Sequence, residues 1–254
     1  MHSSEATFKY HERPVSRART LYRIPTAPNN KRTLELSHSN VPLLTGFTWP
    51  TESVVCWLGS IPTSIASEKV ASNADVQHMN YLDPLPFAAG SFDLVILHRT
   101  LDDLATSARQ SRVRFDAPAL VNNIARVLAP GGLIAGCVDN RASIKLLTRW
   151  ARGIVSGEGL GASMGHFTLR SLSKLLTHAG FNEIRQFTLL PSCQNPLRLI
   201  DIDPVVSKVA FRREIESARD AYSSAAHLGR RVAVELGLYP HLEESIFFWA
   251  YKRC

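Results

Sequence analysis

Polar residues that could take part in acid–base chemistry follow two of the apolar runs in this sequence. His98 ends one run and is followed closely by Asp102 and Asp103, and Asp139-Asn140-Arg141 ends another. An imidazole can accept or release a proton near neutral pH. Each group also has a plain structural interpretation. His98 is then a half-exposed strand-end residue, the two aspartates begin a helix at the positive end of its dipole, and the third group is a turn.

The segment from Gly153 to His166 is rich in glycine. A phosphate-binding loop follows a strand and carries a lysine, whereas this segment follows a predicted helix and lacks the lysine. We therefore expect a flexible lid, with His166 as a candidate catalytic residue that contacts the substrate.

Short apolar runs and amphipathic segments alternate along the chain and must position these groups. The predicted strands are Ser53–Leu58, Phe92–Leu97, Leu133–Val138, Glu183–Leu189 and Ser245–Tyr251. Helices are predicted at Pro118–Leu128, with Asp116 as its cap, and from Thr168 to Gly180. Strands that are apolar on both faces and alternate with helices predict an α/β fold with a largely parallel sheet.

The first 50 residues are polar, contain prolines and lack a clear period. We expect residues 1–50 to be a partly ordered N-terminal extension. The main domain is expected to span residues 51–254, with a helical insertion at about residues 200–244.

The composition excludes several classes of protein. The chain has 254 residues, of which 45% are hydrophobic, and no apolar run reaches the about 18 residues needed to cross a bilayer. The four cysteines are far apart, so no zinc site or redox pair is expected and a reducing, cytoplasmic compartment is favoured. The net charge of +7 comes from basic residues spread along the chain without interleaved aromatic residues, so we expect no specific nucleic-acid partner.

Three stretches carry a family resemblance. They are LPFAAGSFDLV at residues 85–95, IARVLAPGGLI at residues 124–134, and LLTHAGF at residues 175–181, preceded by Phe167-Thr168-Leu169. In order and spacing they resemble the small-molecule class I S-adenosylmethionine-dependent methyltransferases of the UbiE-like, type 11 kind. The resemblance implies a Rossmann-like methyltransferase sheet, mostly parallel with a final antiparallel strand, and S-adenosylmethionine as the cofactor. The tail after Leu190 is similar to methyltransferases associated with polysaccharide or lipid pathways.

The cofactor loop departs from the family pattern. That pattern reads hydrophobic-hydrophobic-acid-hydrophobic-G-x-G-x-G, and its glycines let the backbone approach the ligand. With residues 53–58 as the first strand, the acid falls on Trp57 and the glycines fall on Gly59, Ile61 and Thr63. Trp57 cannot accept the hydrogen bond from the cofactor's ammonium group that the resemblance assigns to this acid.

The segment between Gly59 and Leu85 is also short, since two helices, two strands and their loops would take about 45 residues. This length predicts a sheet that is shortened in its first half. The family often places a histidine or an acid after the fourth strand, which makes His98 the candidate base. The remaining cofactor-binding candidates are Gly59, Ser60, Tyr81, Leu82, Asp83 and His98.

Two functions follow from the resemblance. In the first, the protein transfers a methyl group from S-adenosylmethionine to a small molecule, a glycan or a lipid precursor. In the second, it is a catalytically inactive homologue that binds or stabilises a protein partner. A dinucleotide oxidoreductase is excluded because no G-x-G-x-x-G follows the first predicted strand, and a serine hydrolase because no G-x-S-x-G occurs.

Overall fold

The computed structural model describes residues 32–38, 52–58, 74–79, 83–143, 166–191, 196–217 and 231–254. The strands are β1 (Arg32–Ser37), β2 (Glu52–Leu58), β3 (Ala74–Met79), β4 (Phe92–His98), β5 (Leu128–Asp139), β6 (Phe181–Pro191), β7 (Pro196–Asp201) and β8 (Ser245–Lys252). The helices are α1 (Thr100–Gln110), α2 (Ala117–Val127), α3 (Leu169–His178), α4 (Pro204–Ser217) and the short α5 (Tyr239–Leu242). Residues 231–235 are also helical.

The eight strands form one sheet in the order β3-β2-β1-β4-β5-β8-β6-β7. The five strands β3, β2, β1, β4 and β5 are all parallel to one another. The last strand, β8, lies antiparallel between β5 and β6. The predicted α/β fold, with a mostly parallel sheet and a final antiparallel strand, is therefore confirmed.

The first strand of the sheet is not the one that the sequence predicted. β1 lies in the middle of the sheet, between β2 and β4, and pairs with both in parallel. The run Ser53–Leu58, which was predicted as the first strand, belongs to the second strand, β2. The predicted boundary at residue 51 is too late, because Arg32–Ser37 already belongs to the sheet domain. The first half of the sheet holds β1, β2 and β3, so the predicted shortening is wrong.

The helix caps follow the sequence. Asp116 accepts a hydrogen bond from the backbone N of Ala119 at 2.9 Å and starts α2. Thr168 and Ser171 form a reciprocal capping box that starts α3. A cap of this kind satisfies backbone N–H groups that the first helical turn leaves without partners.

The stretches that carry the family resemblance contact one another. Arg126 of α2 donates to the carbonyl oxygens of Leu85 at 2.6 Å and Phe87 at 2.7 Å, on the loop before β4. The Phe87 ring meets Phe92 edge to face, with 4.9 Å between centroids. These motif residues therefore hold α2, the loop and β4 together, and they report the fold rather than a reaction.

The predicted helical insertion at about residues 200–244 holds helices, and a further strand, β7, runs into its start. β7 pairs antiparallel with β6 at the edge of the sheet. α4 and the following helical residues enclose a small separate core of Ile200, Phe211, Ile215, Val234 and Tyr239. No helix among the described residues is long and apolar enough to cross a membrane.

Two cysteines of the sheet differ in state. Cys56 is a buried free thiol, and burial raises its pKa to about 12. Cys137 is disulfide-bonded, with its partner outside the described residues. This removes one of the observations that favoured a cytoplasmic location.

Gly136 lies where two strands of the sheet pack too closely for a side chain. A Cβ at this position would lie 2.6 Å from Cζ of Phe248, which is fully buried, and 3.0 Å from the carbonyl oxygen of Leu97. We expect Gly136→Ala to lower the free energy of unfolding by about 1–3 kcal/mol, because the core must shift to admit a methyl group. Urea denaturation of the purified protein measures this change.

The control for this prediction is the double variant Gly136→Ala/Phe248→Leu. The smaller side chain removes the clash, so the double variant should lose less than the sum of the two single variants. Additive losses would contradict the assigned contact.

Candidate functional site

A cluster of charged side chains lies where β4 and β5 end side by side. His98, the last residue of β4, pairs with Cys137 of β5, and Asp139 ends β5. α1 begins directly after β4. In open α/β sheets, ligands bind at the carboxyl ends of such parallel strands.

Arg99 connects the two strands. Its backbone N donates to the carbonyl oxygen of Cys137 at 2.9 Å, and its φ of 61° lies in the left-handed region. The guanidinium lies 3.2 Å from Asp139 and 3.7 Å from Asp103, and only 12% of the side chain is exposed. A non-glycine residue in this conformation costs roughly 1–3 kcal/mol, and such residues cluster at functional sites. The position of Arg99 therefore marks this edge as the candidate site.

Asp102 is the buried acceptor of the cluster, with 2% of the residue exposed. Its carboxylate accepts from the backbone N of Asp139 at 2.6 Å and from the backbone N of His166 at 3.4 Å. Burial and the Asp139 carboxylate raise the pKa of Asp102 to about 7, although the two amide hydrogen bonds and Arg99 oppose the rise. The carboxyl group consequently titrates close to physiological pH.

The two candidate histidines are both neutral at physiological pH. Burial, assisted by the charge of Arg99, lowers the pKa of His98 to about 4. Burial also lowers the pKa of His166, and the charges of Arg141 and Arg109 act in the same direction. His98 ends β4, and the backbone N of His166 donates a hydrogen bond to Asp102. The structure therefore places both residues at the carboxyl ends of the parallel strands.

Asn140 has a structural role at the end of β5. Its side-chain amide donates to the carbonyl oxygens of His241 and Glu243, each at 2.8 Å, and its Oδ1 accepts from the backbone N of Ala142 at 3.1 Å. The segment before β8 is thereby fixed against β5. The turn interpretation of this run is correct for Asn140, while Asp139 belongs to the charged cluster.

The cofactor motif aligns differently once β1 is known. Applied to Thr33–Ser37, the family pattern places its acid on Glu35 and its first glycine on Ser37. Glu35 is buried, with 1% exposed. The assignment of the acid to Trp57 and of the first glycine to Gly59 is therefore wrong, because those residues follow or belong to the second strand.

Around the end of β1, side-chain contacts link this strand to α1 and to β2. The hydroxyl of Thr100, the first residue of α1, donates to the carbonyl oxygen of Leu36. Nδ1 of His38 lies in hydrogen-bond contact with the carbonyl oxygen of Leu58, the last residue of β2. The acid that holds the ribose in the family stands at the end of this second strand, and Leu58 is a fully buried apolar residue.

The other predicted cofactor contacts are placed only in part. Asp83 is exposed on the loop between β3 and β4. The candidates Gly59, Ser60, Tyr81 and Leu82 lie outside the described residues, so they remain predictions. Sequence reasoning missed Glu35 and Arg99. Of these, only Glu35 had a signal, because Leu34-Glu35-Leu36 satisfies the hydrophobic-acid-hydrophobic part of the motif.

Among the residues with described positions, no group of three or more His, Cys, Asp or Glu side chains is placed to hold a metal ion. The charged side chains at the carboxyl ends of β4 and β5 pair with one another in the cluster around Asp102.

The raised pKa of Asp102 makes stability depend on pH in a defined direction. Between the ordinary pKa of 3.8 and about 7, the folded protein keeps a proton on Asp102 that the unfolded chain has released. The free energy of unfolding should therefore fall as the pH rises through this window, by at most about 1.4 kcal/mol per pH unit from this group. In Asp102→Asn this part of the slope should vanish, as measured by urea denaturation at a series of pH values.

Asp103→Asn is the matched control, because it removes a carboxylate beside Arg99 but leaves both backbone hydrogen bonds to Asp102. The control should keep the slope. Equal slopes for the wild type and Asp102→Asn would refute the assignment.

Comparisons with known proteins agree with the sheet order. A family model described as "Methyltransferase domain" matches residues 60–136, which is less than half of the chain. No curated protein is detectably similar in sequence.

Several solved methyltransferase structures share the fold. A possible histamine N-methyltransferase from Thermotoga maritima has a TM-score of 0.56 and 15% identity, covering 98% of this chain and 94% of that one. A methyltransferase from Archaeoglobus fulgidus has a TM-score of 0.55 and 14% identity, covering 97% and 99% of the two chains. Phosphoethanolamine N-methyltransferase 2 from Haemonchus contortus has a TM-score of 0.53 and 16% identity, covering 94% of this chain, which spans only 53% of that protein. Together, the sheet order and these solved structures show that this chain has the fold of the S-adenosylmethionine-dependent methyltransferases, and residues 60–136 match the methyltransferase-domain family.

Proposed function

We propose that this protein binds S-adenosylmethionine at the carboxyl ends of β1, β2 and β4 and transfers its methyl group to a small molecule, a glycan or a lipid precursor. The observation that carries the proposal is the position of Glu35. It occupies the acid position of the cofactor motif on the central strand of the sheet. When the motif is aligned on β1, its acid position is occupied by Glu35, whereas the alignment on β2 placed Trp57 there.

The residues at the carboxyl ends of β1 and β2 fit the ammonium group of the cofactor better than they fit its ribose. The resemblance assigns the ammonium group of the cofactor to the motif acid, and the carboxylate of Glu35 has the charge to accept it. The solved Haemonchus contortus enzyme, which shares this sheet, was crystallised in complex with S-adenosyl-L-methionine. Leu58, in contrast, offers no acceptor side chain to the ribose hydroxyls, so ribose binding must come from other groups.

When bound, S-adenosylmethionine supplies a methyl group activated by a positively charged sulfur. The protein then has to align an acceptor atom with that methyl group and take up a proton if the acceptor carries one. A pKa of about 4 makes His98 a weak base, so we assign it the orientation of ligands through hydrogen bonds. We assign proton uptake to His166, whose backbone N contacts Asp102 at the same end of the strands.

A catalytically inactive homologue is the second candidate function. One observation favours it: the end of β2 carries the apolar Leu58 where the family has an acid, and the side chain of His38 contacts the carbonyl oxygen of Leu58. Ser37 also replaces the first glycine of the motif. A fold kept for binding a partner would tolerate both changes.

Titration calorimetry with S-adenosylmethionine and S-adenosylhomocysteine tests the proposal. We expect the wild type to bind both, and Glu35→Gln to weaken binding of each by about 10-fold or more, because a charge-assisted hydrogen bond is worth roughly 1.5–3 kcal/mol. Thermal unfolding of each variant checks that the fold is retained.

Asp93→Asn is the matched control. Asp93 is a carboxylate at the start of β4, on the opposite edge of the sheet, and accepts from the backbone N of Arg32 at 2.9 Å. Its substitution should leave cofactor affinity unchanged. If the folded wild type shows no heat of binding at millimolar cofactor, the proposal fails and the inactive homologue becomes the better account.

A further inference from the structure

The imidazole of His38 reaches from the end of β1 to the end of β2. The two strands run parallel, with Ser37 beside Trp57, and His38 directly follows β1. Nδ1 of His38 is in hydrogen-bond contact with the carbonyl oxygen of Leu58, the last residue of β2. One side chain after the central strand is therefore held at the carboxyl end of the neighbouring strand.

This place is the point where the strand order of the sheet reverses. From β1 the strands proceed outward to β2 and β3, and β4 then lies on the other side of β1. Open α/β sheets bind their ligands outside the carboxyl ends of the strands at such a point. His38 lies there because it is the first residue after β1.

The end of β2 lacks the acceptor that a nucleotide ribose needs. In doubly wound sheets that bind nucleotides, an acid about 20 residues beyond the first strand-to-helix turn accepts a hydrogen bond from a ribose hydroxyl. Leu58 follows His38 by 20 residues and is apolar and fully buried. An acceptor for the ribose must therefore come from another side chain near this strand end.

The contact with Leu58 fixes which nitrogen of His38 can accept. A carbonyl oxygen has no hydrogen to donate, so Nδ1 is the donor in this contact and carries the proton of the neutral ring. Nε2 is then an acceptor, and its lone pair is directed away from the carbonyl oxygen. None of the residues with described positions bonds to Nε2, and the side chain is half-buried, so a ligand can reach this atom.

The neighbouring polar side chains are committed elsewhere. The hydroxyl of Thr100 donates to the carbonyl oxygen of Leu36. Ser37 is buried and already takes part in another interaction. Glu35 is buried on β1 and is assigned to the ammonium group of the cofactor. Among the side chains described at the ends of β1 and β2, His38 alone combines partial exposure with an acceptor nitrogen.

We propose that Nε2 of His38 accepts a hydrogen bond from a ribose hydroxyl of S-adenosylmethionine and so replaces the acid that β2 lacks. This inference rests on the proposed function and names the residue that holds the ribose. A carboxylate has two oxygens and can accept from both ribose hydroxyls, whereas Nε2 has a single lone pair. One of the two hydroxyls should therefore contribute to affinity and the other should not.

Nuclear magnetic resonance of the full chain with isotope-labelled histidine tests the inference. Without ligand, the proton of the neutral His38 ring should reside on Nδ1. Adenosine carries the ribose without the ammonium group and should shift the Nε2 signal, and one of its two monodeoxy analogues should fail to do so. His178 is the internal control, because its Nδ1 also contacts a carbonyl oxygen, that of Lys174 at 2.7 Å, where β6 begins at the opposite edge of the sheet. Its signals should stay in place.

His38→Asn separates the two nitrogens of the ring. The side-chain nitrogen of asparagine stands near the position of Nδ1, so the variant keeps a donor for the carbonyl oxygen of Leu58 but has nothing in place of Nε2. By titration calorimetry it should bind S-adenosylhomocysteine about fivefold more weakly than the wild type, because one neutral hydrogen bond is lost. It should also bind the relevant monodeoxy analogue of S-adenosylhomocysteine as tightly as the parent compound. His178→Asn is the matched control and should keep the wild-type affinity, and thermal unfolding checks that both variants are folded.

Four results would overturn the inference: a proton on Nε2 instead of Nδ1, no Nε2 shift with adenosine, equal shifts with adenosine and both analogues, or unchanged affinity in His38→Asn. The proposed function is tested separately, since adenosine has no ammonium group and does not depend on Glu35. If S-adenosylhomocysteine binds the wild type while adenosine leaves Nε2 in place, this inference alone fails. If neither compound binds, the proposed function fails with it.

Discussion

One buried carboxylate, Asp102, holds the candidate site together. It lies on α1 and accepts backbone hydrogen bonds from the end of β5 and from His166, which precedes α3. Three segments that are distant in sequence therefore meet at one side chain. Because burial favours the protonated acid, while the two amide donors and Arg99 favour the charged form, the geometry of this edge is tied to a group that titrates near pH 7.

The sequence predicted the later elements well and missed the first strand for a physical reason. Strands buried on both faces usually read as continuous apolar runs. β1 is buried from Thr33 to Ser37, yet polar Thr33, Glu35 and Ser37 alternate with Leu34 and Leu36. Such alternation indicates a half-exposed strand, so the apolar run in β2 took its place in the prediction. The apparent shortage of residues before Leu85 followed from that single error.

The capped helices were predictable because their signals are local. Asp116 and Thr168 act on amides within three residues of themselves, and the structure shows both caps. The charged cluster was not predictable in this way. Arg99 meets Asp139 only because β4 and β5 lie side by side, and its left-handed backbone conformation has no signature in the sequence. The family match has a related limit: it begins at residue 60, after β1 and β2, and covers the motif residues that pack α2 against β4.

The loss of the ribose acid does not by itself decide between an enzyme and an inactive homologue. A missing charge-assisted hydrogen bond costs about 1.5–3 kcal/mol, which corresponds to affinity that is roughly 10- to 150-fold weaker. A methyltransferase can lose that much and still bind its cofactor. Loss of the motif acid on the central strand would be harder to tolerate, because the cofactor's ammonium group would then be brought to the sheet without a counter-charge. Glu35 is present and Leu58 replaces the other acid, so weakened binding is a more consistent expectation than none.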